Sequence, residues 1–68
     1  MRLKDIKNIE AEDLTNASSE YVYDLVKKGL ECVAYSHGTY GVNGWLGRDS
    51  LGNLYKITSR SGNLFIVL

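Results

Sequence analysis

The side chains that most often carry out catalysis are sparse in this chain of 68 residues, which has one cysteine, Cys32, and one histidine, His37. A thiol beside an imidazole can act as a nucleophile with its base, provided that the two groups touch and the thiol pKa is lowered. Because side chains alternate along a strand, Cys32 and His37 point in opposite directions if one strand contains both. Cys32 stands between Leu30 and Ala34 on an apolar row, so we expect a small buried thiol.

Ser36, His37 and Asp49 supply the residue types of a hydrolase triad. No nucleophile elbow surrounds Ser36, and a chain this short seldom builds a dry pocket from several residues. One cysteine and one histidine also make a poor ligand set for a structural zinc ion. We therefore predict that the protein is not an enzyme and holds no metal and no cofactor.

Residues 36–49 combine four of the seven glycines with the only histidine and the only tryptophan. Such glycines supply positive φ angles or close backbone approach, so we expect a loop that closes by about Gly44. The backbone N–H groups of a loop can bind an anion, although no Walker or Gly-x-Gly-x-x-Gly motif is present. One interpretation is a plain connector; the alternative is a site for an anion or a nucleotide-like ligand, with five candidate contacts: His37, Tyr40, Asn43, Trp45 and Arg48.

Two segments in the first half of the chain predict helices. Residues 3–14 place apolar side chains at intervals of three, which favours a short amphipathic helix. Residues 19–28 are better marked, because Ser18 can cap the first turn and Gly29 can end the last one. The helices therefore come first in the chain.

The second half predicts antiparallel strands. Alternation from residue 30 to Ser36 indicates the first strand. Three further strands are predicted over residues 45–49, 54–59 and 64–68. Two four-residue connectors, each with a Gly-Asn pair, separate these three and favour hairpins. The fold prediction is one small α+β domain over residues 1–68, with one or two N-terminal helices packed on a three- to four-stranded antiparallel β-meander.

The predicted register sorts the side chains of this sheet onto two faces. A connector of four residues pairs Asp49 with Leu54. The face expected to receive both helices then carries Leu46, Arg48, Tyr55 and Ile57. The opposite face supplies the predicted partner contacts, which are Trp45, Lys56, Thr58, Phe65 and Val67.

A partner is expected because the last five residues of the chain are all apolar, which indicates burial on both faces. One helical layer covers only one face, and a symmetric homodimer is the commonest way to cover the other. The formal net charge of zero argues against nucleic acid as a partner, and no apolar run reaches the length of a membrane span. We predict a small non-enzymatic protein-interaction module, homodimeric and cytoplasmic, which acts as an accessory, inhibitory or regulatory protein.

Overall fold

The computed structural model describes residues 2–38 and 41–58, which form two helices and one mixed four-stranded sheet. The elements are α1 Leu3–Asn8, β1 Glu12–Asp13, α2 Ser19–Lys27, β2 Glu31–Gly38, β3 Gly41–Arg48 and β4 Leu54–Ile57. The strand order is β1-β4-β3-β2, with β1 parallel to β4 and the other neighbours antiparallel. The α+β class is confirmed, whereas the simple antiparallel meander is wrong because β1 joins the sheet in parallel.

Helix α2 begins and ends where its local signals predict. The Ser18 hydroxyl accepts a hydrogen bond from the Tyr21 N–H at 3.2 Å, which caps the first turn. At the other end the Leu30 N–H donates to the Leu25 carbonyl at 3.0 Å, and Gly29 has a φ of +95°. This is a Schellman ending, in which a left-handed glycine closes the helix.

Helix α1 is shorter than predicted, since it ends at Asn8 instead of reaching Leu14. The Lys56 ammonium donates to the carbonyl oxygens of Lys7 at 3.0 Å and Ile9 at 2.9 Å. A cation thus satisfies carbonyls that the end of a helix leaves unpaired. Farther on, the Leu14 N–H donates to the Lys56 carbonyl at 2.7 Å, so pairing with β4 replaces the predicted helical turns.

Strand β1 is held against β4 by side chains as well as by backbone pairing. It runs parallel to β4 beside Tyr55 and Lys56. The Thr58 N–H donates to the Thr15 hydroxyl at 3.0 Å, and the Asp13 carboxylate accepts hydrogen bonds from both threonine hydroxyls. These donors outweigh the burial that would raise the pKa of Asp13, so that pKa lies below its ordinary value.

The predicted last strand, residues 64–68, lies outside the described residues, as do the predicted partner contacts Phe65 and Val67. The meander prediction placed that strand along the outer edge of β4. Beside Tyr55 and Lys56 this edge is occupied by β1 instead. The predicted hairpin therefore conflicts with the sheet order at those two positions.

The glycine-rich stretch is not the predicted loop, because residues 36–38 and 41–48 lie in the paired strands β2 and β3. Its glycines make room for neighbouring side chains. A Cβ on Gly47 would overlap the indole ring of Trp45. A Cβ on Gly44 would lie 2.7 Å from the nearest side-chain carbon of α1.

The register of β3 and β4 differs by one residue from the prediction, since Leu54 pairs with Arg48 and not with Asp49. The Asp49 N–H donates to the Asn53 carbonyl and the Gly52 N–H donates to the Asp49 carbonyl, both at 3.1 Å. Gly52 has a φ of +87°. The turn is thus a three-residue loop that ends in a left-handed glycine, rather than a loop of four residues.

This shift moves Trp45 from the predicted outer face into the core, because one step in register exchanges the two faces of a strand. Trp45 pairs with Ile57 and is completely buried. Leu46 pairs with Lys56 on the opposite face. The core around the indole consists of Leu14, Leu25, Leu30, Trp45, Tyr55 and Ile57.

The two helices lie on opposite faces of the sheet, so the prediction that both cover the same face is wrong. Helix α2 contributes Leu25 to the core around Trp45. Helix α1 packs over Gly44 and is reached by Lys56, and both positions alternate with the core positions of their strands. Each face of the central strands therefore has its own helical cover.

Candidate functional site

The residues predicted to bind an anion do not converge on one site. His37 is exposed on β2 and pairs with Val42 of β3. Arg48 is the last residue of β3, six residues beyond Val42, or about 20 Å along the strand. Trp45 is completely buried between them. The Asn43 amide packs on the backbone of β2, and Tyr40 lies outside the described residues.

The described members of the predicted partner surface already have partners within the chain. Trp45 is in the core, Lys56 binds the end of α1, and Thr58 binds the segment that follows β1. A role for Phe65 and Val67 in binding a partner stays a prediction.

Strand β2 lies at the edge of the described sheet, so its outer edge has no neighbouring strand among the described residues. It has eight residues, Glu31 to Gly38, and in the described chain its one neighbouring strand is β3. The outer edge of such a strand presents backbone N–H and C=O groups that can pair with another strand. Proteins protect long edges with proline, lysine, inward-pointing charge or β-bulges. Strand β2 has neither proline nor lysine and its one acidic residue is at its first position, but its register with β3 shifts between Cys32 and Ala34.

The exposed side chains of β2 are mostly apolar or aromatic. Val33 is 48% exposed and Tyr35 is 45% exposed. The rings of Tyr35 and His37 meet edge to face, with their centroids 4.8 Å apart. Ser36 points to the other face and is buried. We call the outer edge of β2 together with Val33, Tyr35 and His37 the β2 surface.

A bulge in β2 explains why the predicted alternation fails at the start of this strand. Cys32 pairs with Gly47 and Ala34 pairs with Leu46, so Val33 is an extra residue in β2. An extra residue shifts the alternation of side chains by one step. Cys32 and Ala34 therefore face opposite sides of the sheet, and Cys32 is exposed instead of buried as predicted.

The Cys32 thiol is exposed but not activated. Partial burial of its sulfur raises the pKa of Cys32, outweighing a hydrogen bond to the Ala34 carbonyl at 3.6 Å and the nearby indole of Trp45. Within the described chain the Trp45 indole N–H makes no hydrogen bond of normal geometry, so its approach to the sulfur is a weak contact. A raised pKa disfavours the thiolate, which is the nucleophilic form.

One flank of helix α2 contacts β1, at the edge of the sheet opposite β2. The Tyr21 hydroxyl donates to the Glu12 carboxylate at 2.5 Å, which fixes that flank towards β1 at the far edge of the sheet. Val26, which is 38% exposed, lies about 140° around the helix from Tyr21 and so belongs to a different flank of α2.

The sequence contains a signal for the β2 surface, but this signal does not place the strand at an edge of the sheet. Val33, Tyr35 and His37 alternate with smaller residues, with no charge among them, in a segment predicted to be a strand. The missing information was the position of this strand in the sheet, because the same pattern in a central strand indicates core.

None of the described helices has the length and apolar character to cross a bilayer, and the described residues contain no cluster of three metal-ligating side chains. Comparison of the chain with protein-family models, curated proteins and solved structures found no match. The functional conclusion therefore depends on the geometry of the β2 surface.

Proposed function

We propose that this chain is a small, non-enzymatic protein-interaction module that binds its partner through the β2 surface. The observation that carries the proposal is an edge strand of eight residues whose exposed side chains include Val33 and Tyr35, 48% and 45% exposed. Exposed apolar side chains beside an unpaired strand edge mark a site of association.

Strand addition is the binding mode that this surface fits. A partner strand laid along β2 would pair with the backbone groups of the edge that has no neighbouring strand among the described residues, and these hydrogen bonds would supply affinity for any extended segment. The exposed side chains of Val33 and Tyr35 would supply selectivity, because cross-strand pairs favour aromatic and branched apolar residues. The module needs no catalytic group for this role, and its raised thiol pKa suits a binding surface better than a nucleophile.

The proposed partner is a protein, and the proposed role of the module is accessory, inhibitory or regulatory. We place it in the cytoplasm, where the single exposed thiol of Cys32 stays reduced.

The proposal is tested by affinity capture from cells of the source organism with three tagged forms of the full chain. The first is the unchanged chain and the second carries Val33→Thr with Tyr35→Thr, which keeps strand-forming residues but removes the apolar surface. The third carries Leu51→Asn as a matched control, because Leu51 is 86% exposed on the turn between β3 and β4.

We expect the unchanged and Leu51→Asn chains to retain the same proteins, further copies of the chain included, and the double variant to lose them. All three forms should melt at similar temperatures, since exposed substitutions change stability little. Equal retention by all three forms would contradict the proposed role of the β2 surface.

A further inference from the structure

We infer that Cys32 is a site of reversible oxidation by a hydroperoxide, at which the resulting sulfenic acid accepts a hydrogen bond from the indole N–H of Trp45. The modification acts on the thiol alone, so it is separate from the binding role proposed for the β2 surface. Three observations support it: the thiol is exposed, the indole beside it is completely buried, and the indole N–H has no acceptor of normal geometry among the described residues.

The register of the sheet places Cys32 and Trp45 side by side. Cys32 pairs with Gly47, which lies two positions after Trp45 on β3 and therefore on the same face. Gly47 has no side chain, and the indole ring covers the space that a Cβ would occupy. The indole thus lies across from Cys32, where its N–H is close enough to the sulfur to favour the thiolate.

The indole N–H of Trp45 lacks a strong acceptor. Among the described residues its nitrogen is the one buried side-chain nitrogen or oxygen without a hydrogen-bond partner. A sulfur atom is a weak acceptor, and a buried donor that lacks a good partner lowers the stability of the fold. A stronger acceptor attached to the sulfur would therefore be stabilised by this N–H.

Oxidation of Cys32 creates such an acceptor. The thiol first loses its proton, and the thiolate then attacks the terminal oxygen of the hydroperoxide. An S–O bond forms as the O–O bond breaks, so that the sulfur receives an OH group and the rest of the peroxide leaves as a hydroxide or an alkoxide. The leaving anion takes up the proton that the thiol lost; the sulfur is oxidised by two electrons and the peroxide is reduced by two.

Both polar parts of the sulfenic acid have partners at this position. Its oxygen can accept from the Trp45 N–H, and its hydrogen can donate to the Ala34 carbonyl, to which the thiol already donates at 3.6 Å. Because the Cys32 side chain is exposed, its sulfur has room to turn outwards and leave the oxygen beside the indole. The site therefore fits a sulfenic acid better than it fits the thiol.

The geometry favours a long lifetime of the sulfenic acid and not rapid formation. Partial burial raises the pKa of Cys32, so little thiolate is present at neutral pH and the attack is slow. Once formed, a sulfenic acid is lost to a second thiol or to further oxidation. Cys32 is the only cysteine of the chain, so no thiol of the same molecule can remove the sulfenic acid.

The lifetime is measured on the purified full chain. The protein is treated with hydrogen peroxide, the peroxide is removed with catalase, and dimedone, which reacts with sulfenic acids, is added after increasing delays. Mass spectrometry gives the fraction of chains that still forms the adduct, relative to the fraction at zero delay. The matched control is Leu51→Cys in a Cys32→Ser background, since Leu51 is 86% exposed on the turn between β3 and β4.

We expect the sulfenic acid to persist about two- to tenfold longer at Cys32 than in the control chain, the range that one net hydrogen bond supplies. Trp45→Phe keeps an aromatic ring and removes the N–H, so it should shorten the lifetime at Cys32 by a similar factor. Circular dichroism establishes that this variant is folded before its lifetime is compared.

The fluorescence of Trp45, the only tryptophan, gives a second readout on the unchanged chain. A new hydrogen bond from the indole N–H should move its emission to longer wavelength on oxidation. Dithiothreitol should restore it, because one thiol displaces water from the sulfenic acid and a second releases Cys32 from the mixed disulfide. The Cys32→Ser chain, treated in the same way, should show no change.

A sulfenic acid at Cys32 that decays as fast as the one in the Leu51→Cys control would overturn the inference. A lifetime that folded Trp45→Phe leaves unchanged would overturn it as well, because burial of the sulfur and not the indole would then protect the sulfenic acid. If Trp45→Phe does not fold, the emission of the unchanged chain decides, and an emission unaffected by oxidation of Cys32 would exclude the hydrogen bond.

Discussion

The turn between β3 and β4 and the edge strand β2 both lie at the surface of one sheet, but they use their polar groups in opposite ways. In the turn, the Asp49 carboxylate accepts hydrogen bonds from the N–H groups of Leu51 and Asn53 at 2.9 Å. It also accepts from the Asn53 amide at 3.1 Å and the Tyr55 hydroxyl at 2.9 Å. Residues of this chain thus supply four hydrogen bonds to the Asp49 carboxylate.

The turn is also tied to the helix behind it, since the Ser50 hydroxyl donates to the Lys28 carbonyl at 2.8 Å. Strand β2 has no comparable set of contacts along its outer edge in the described chain, and its exposed rings of Tyr35 and His37 contact each other. The comparison teaches that the turn satisfies its polar groups within the chain, whereas the outer edge of β2 has no neighbouring strand among the described residues.

The largest loss of stability is expected from a substitution in the core beneath the turn and β2. Trp45→Ala removes a completely buried indole and should lower the free energy of unfolding by about 3–5 kcal/mol. A domain this small has little more stability than that, so the variant should be largely unfolded. Tyr35→Ala on β2 should cost less than about 1 kcal/mol.

Urea denaturation followed by circular dichroism compares the two variants, and Trp45→Phe serves as a milder control. An equal loss of stability for Tyr35→Ala and Trp45→Ala would show that Tyr35 belongs to the folding core. The β2 surface would then not be free for a partner.

The sequence predicts those parts of this fold whose signals are local. Ser18 and Gly29 mark both ends of α2 because each acts on a backbone group within one helical turn. Glu12 and Asp13 carry no such signal, since β1 is a strand only through its pairing with β4 and reads as a charged helical segment in isolation. Tertiary contact decided the structure there.

The candidate site shows the same limit. The turn at Asp49 was predicted in the right place, but its length was wrong by one residue, and that error placed Trp45 on the same face as Lys56 although the two lie on opposite faces. The bulge at Val33 shifted β2 in the same manner. A single inserted residue shifts an alternating pattern by one step, so the side chains beyond it change face. The predicted faces therefore depend on details of backbone geometry that side-chain types do not specify.

A smaller effect is expected from the bond between Tyr55 and Asp49 in the turn. Tyr55→Phe removes one hydrogen bond to a charged group and should lower the free energy of unfolding by about 1–2 kcal/mol, measured by urea denaturation at neutral pH. The matched control is Tyr23→Phe, because Tyr23 is 55% exposed on α2. A loss as large for Tyr23→Phe would contradict the special role of the turn.

The same bond gives the turn a characteristic dependence on pH. Burial alone would raise the pKa of Asp49, but donors from Asn53, Tyr55 and Leu51 outweigh it and hold that pKa below its ordinary value of 3.8. Its stabilising contribution is therefore present above pH 3.8 and lost as the pH falls through the lowered pKa. Burial and the Asp49 carboxylate raise the pKa of Tyr55 to about 12, so the tyrosine contribution is present below pH 10 and lost as the pH rises towards 12.

Thermal melts across both pH ranges measure these two losses of stability, and Tyr55→Phe should reduce the loss at alkaline pH. An unchanged loss at alkaline pH in this variant would mean that it does not come from deprotonation of Tyr55 beside Asp49.

Another modest effect is expected at the left-handed Gly52 in the turn, and comparison with the left-handed Gly29 at the end of α2 separates backbone strain from crowding. Gly52 has a φ of +87° and open space around a new Cβ, so Gly52→Ala should cost about 1 kcal/mol through strain alone. Gly29 has a φ of +95°, and a Cβ there would lie 3.1 Å from the Ser50 Cβ, so Gly29→Ala should cost more.

Asparagine tolerates the left-handed conformation better than alanine, so Gly52→Asn should recover part of the loss. Urea denaturation of the three variants gives the ranking. A Gly52→Ala variant as stable as the unchanged chain would mean that the turn can adopt another geometry. The hydrogen bonds of Asp49 would then not define the turn, and its contrast with the uncommitted edge of β2 would be lost.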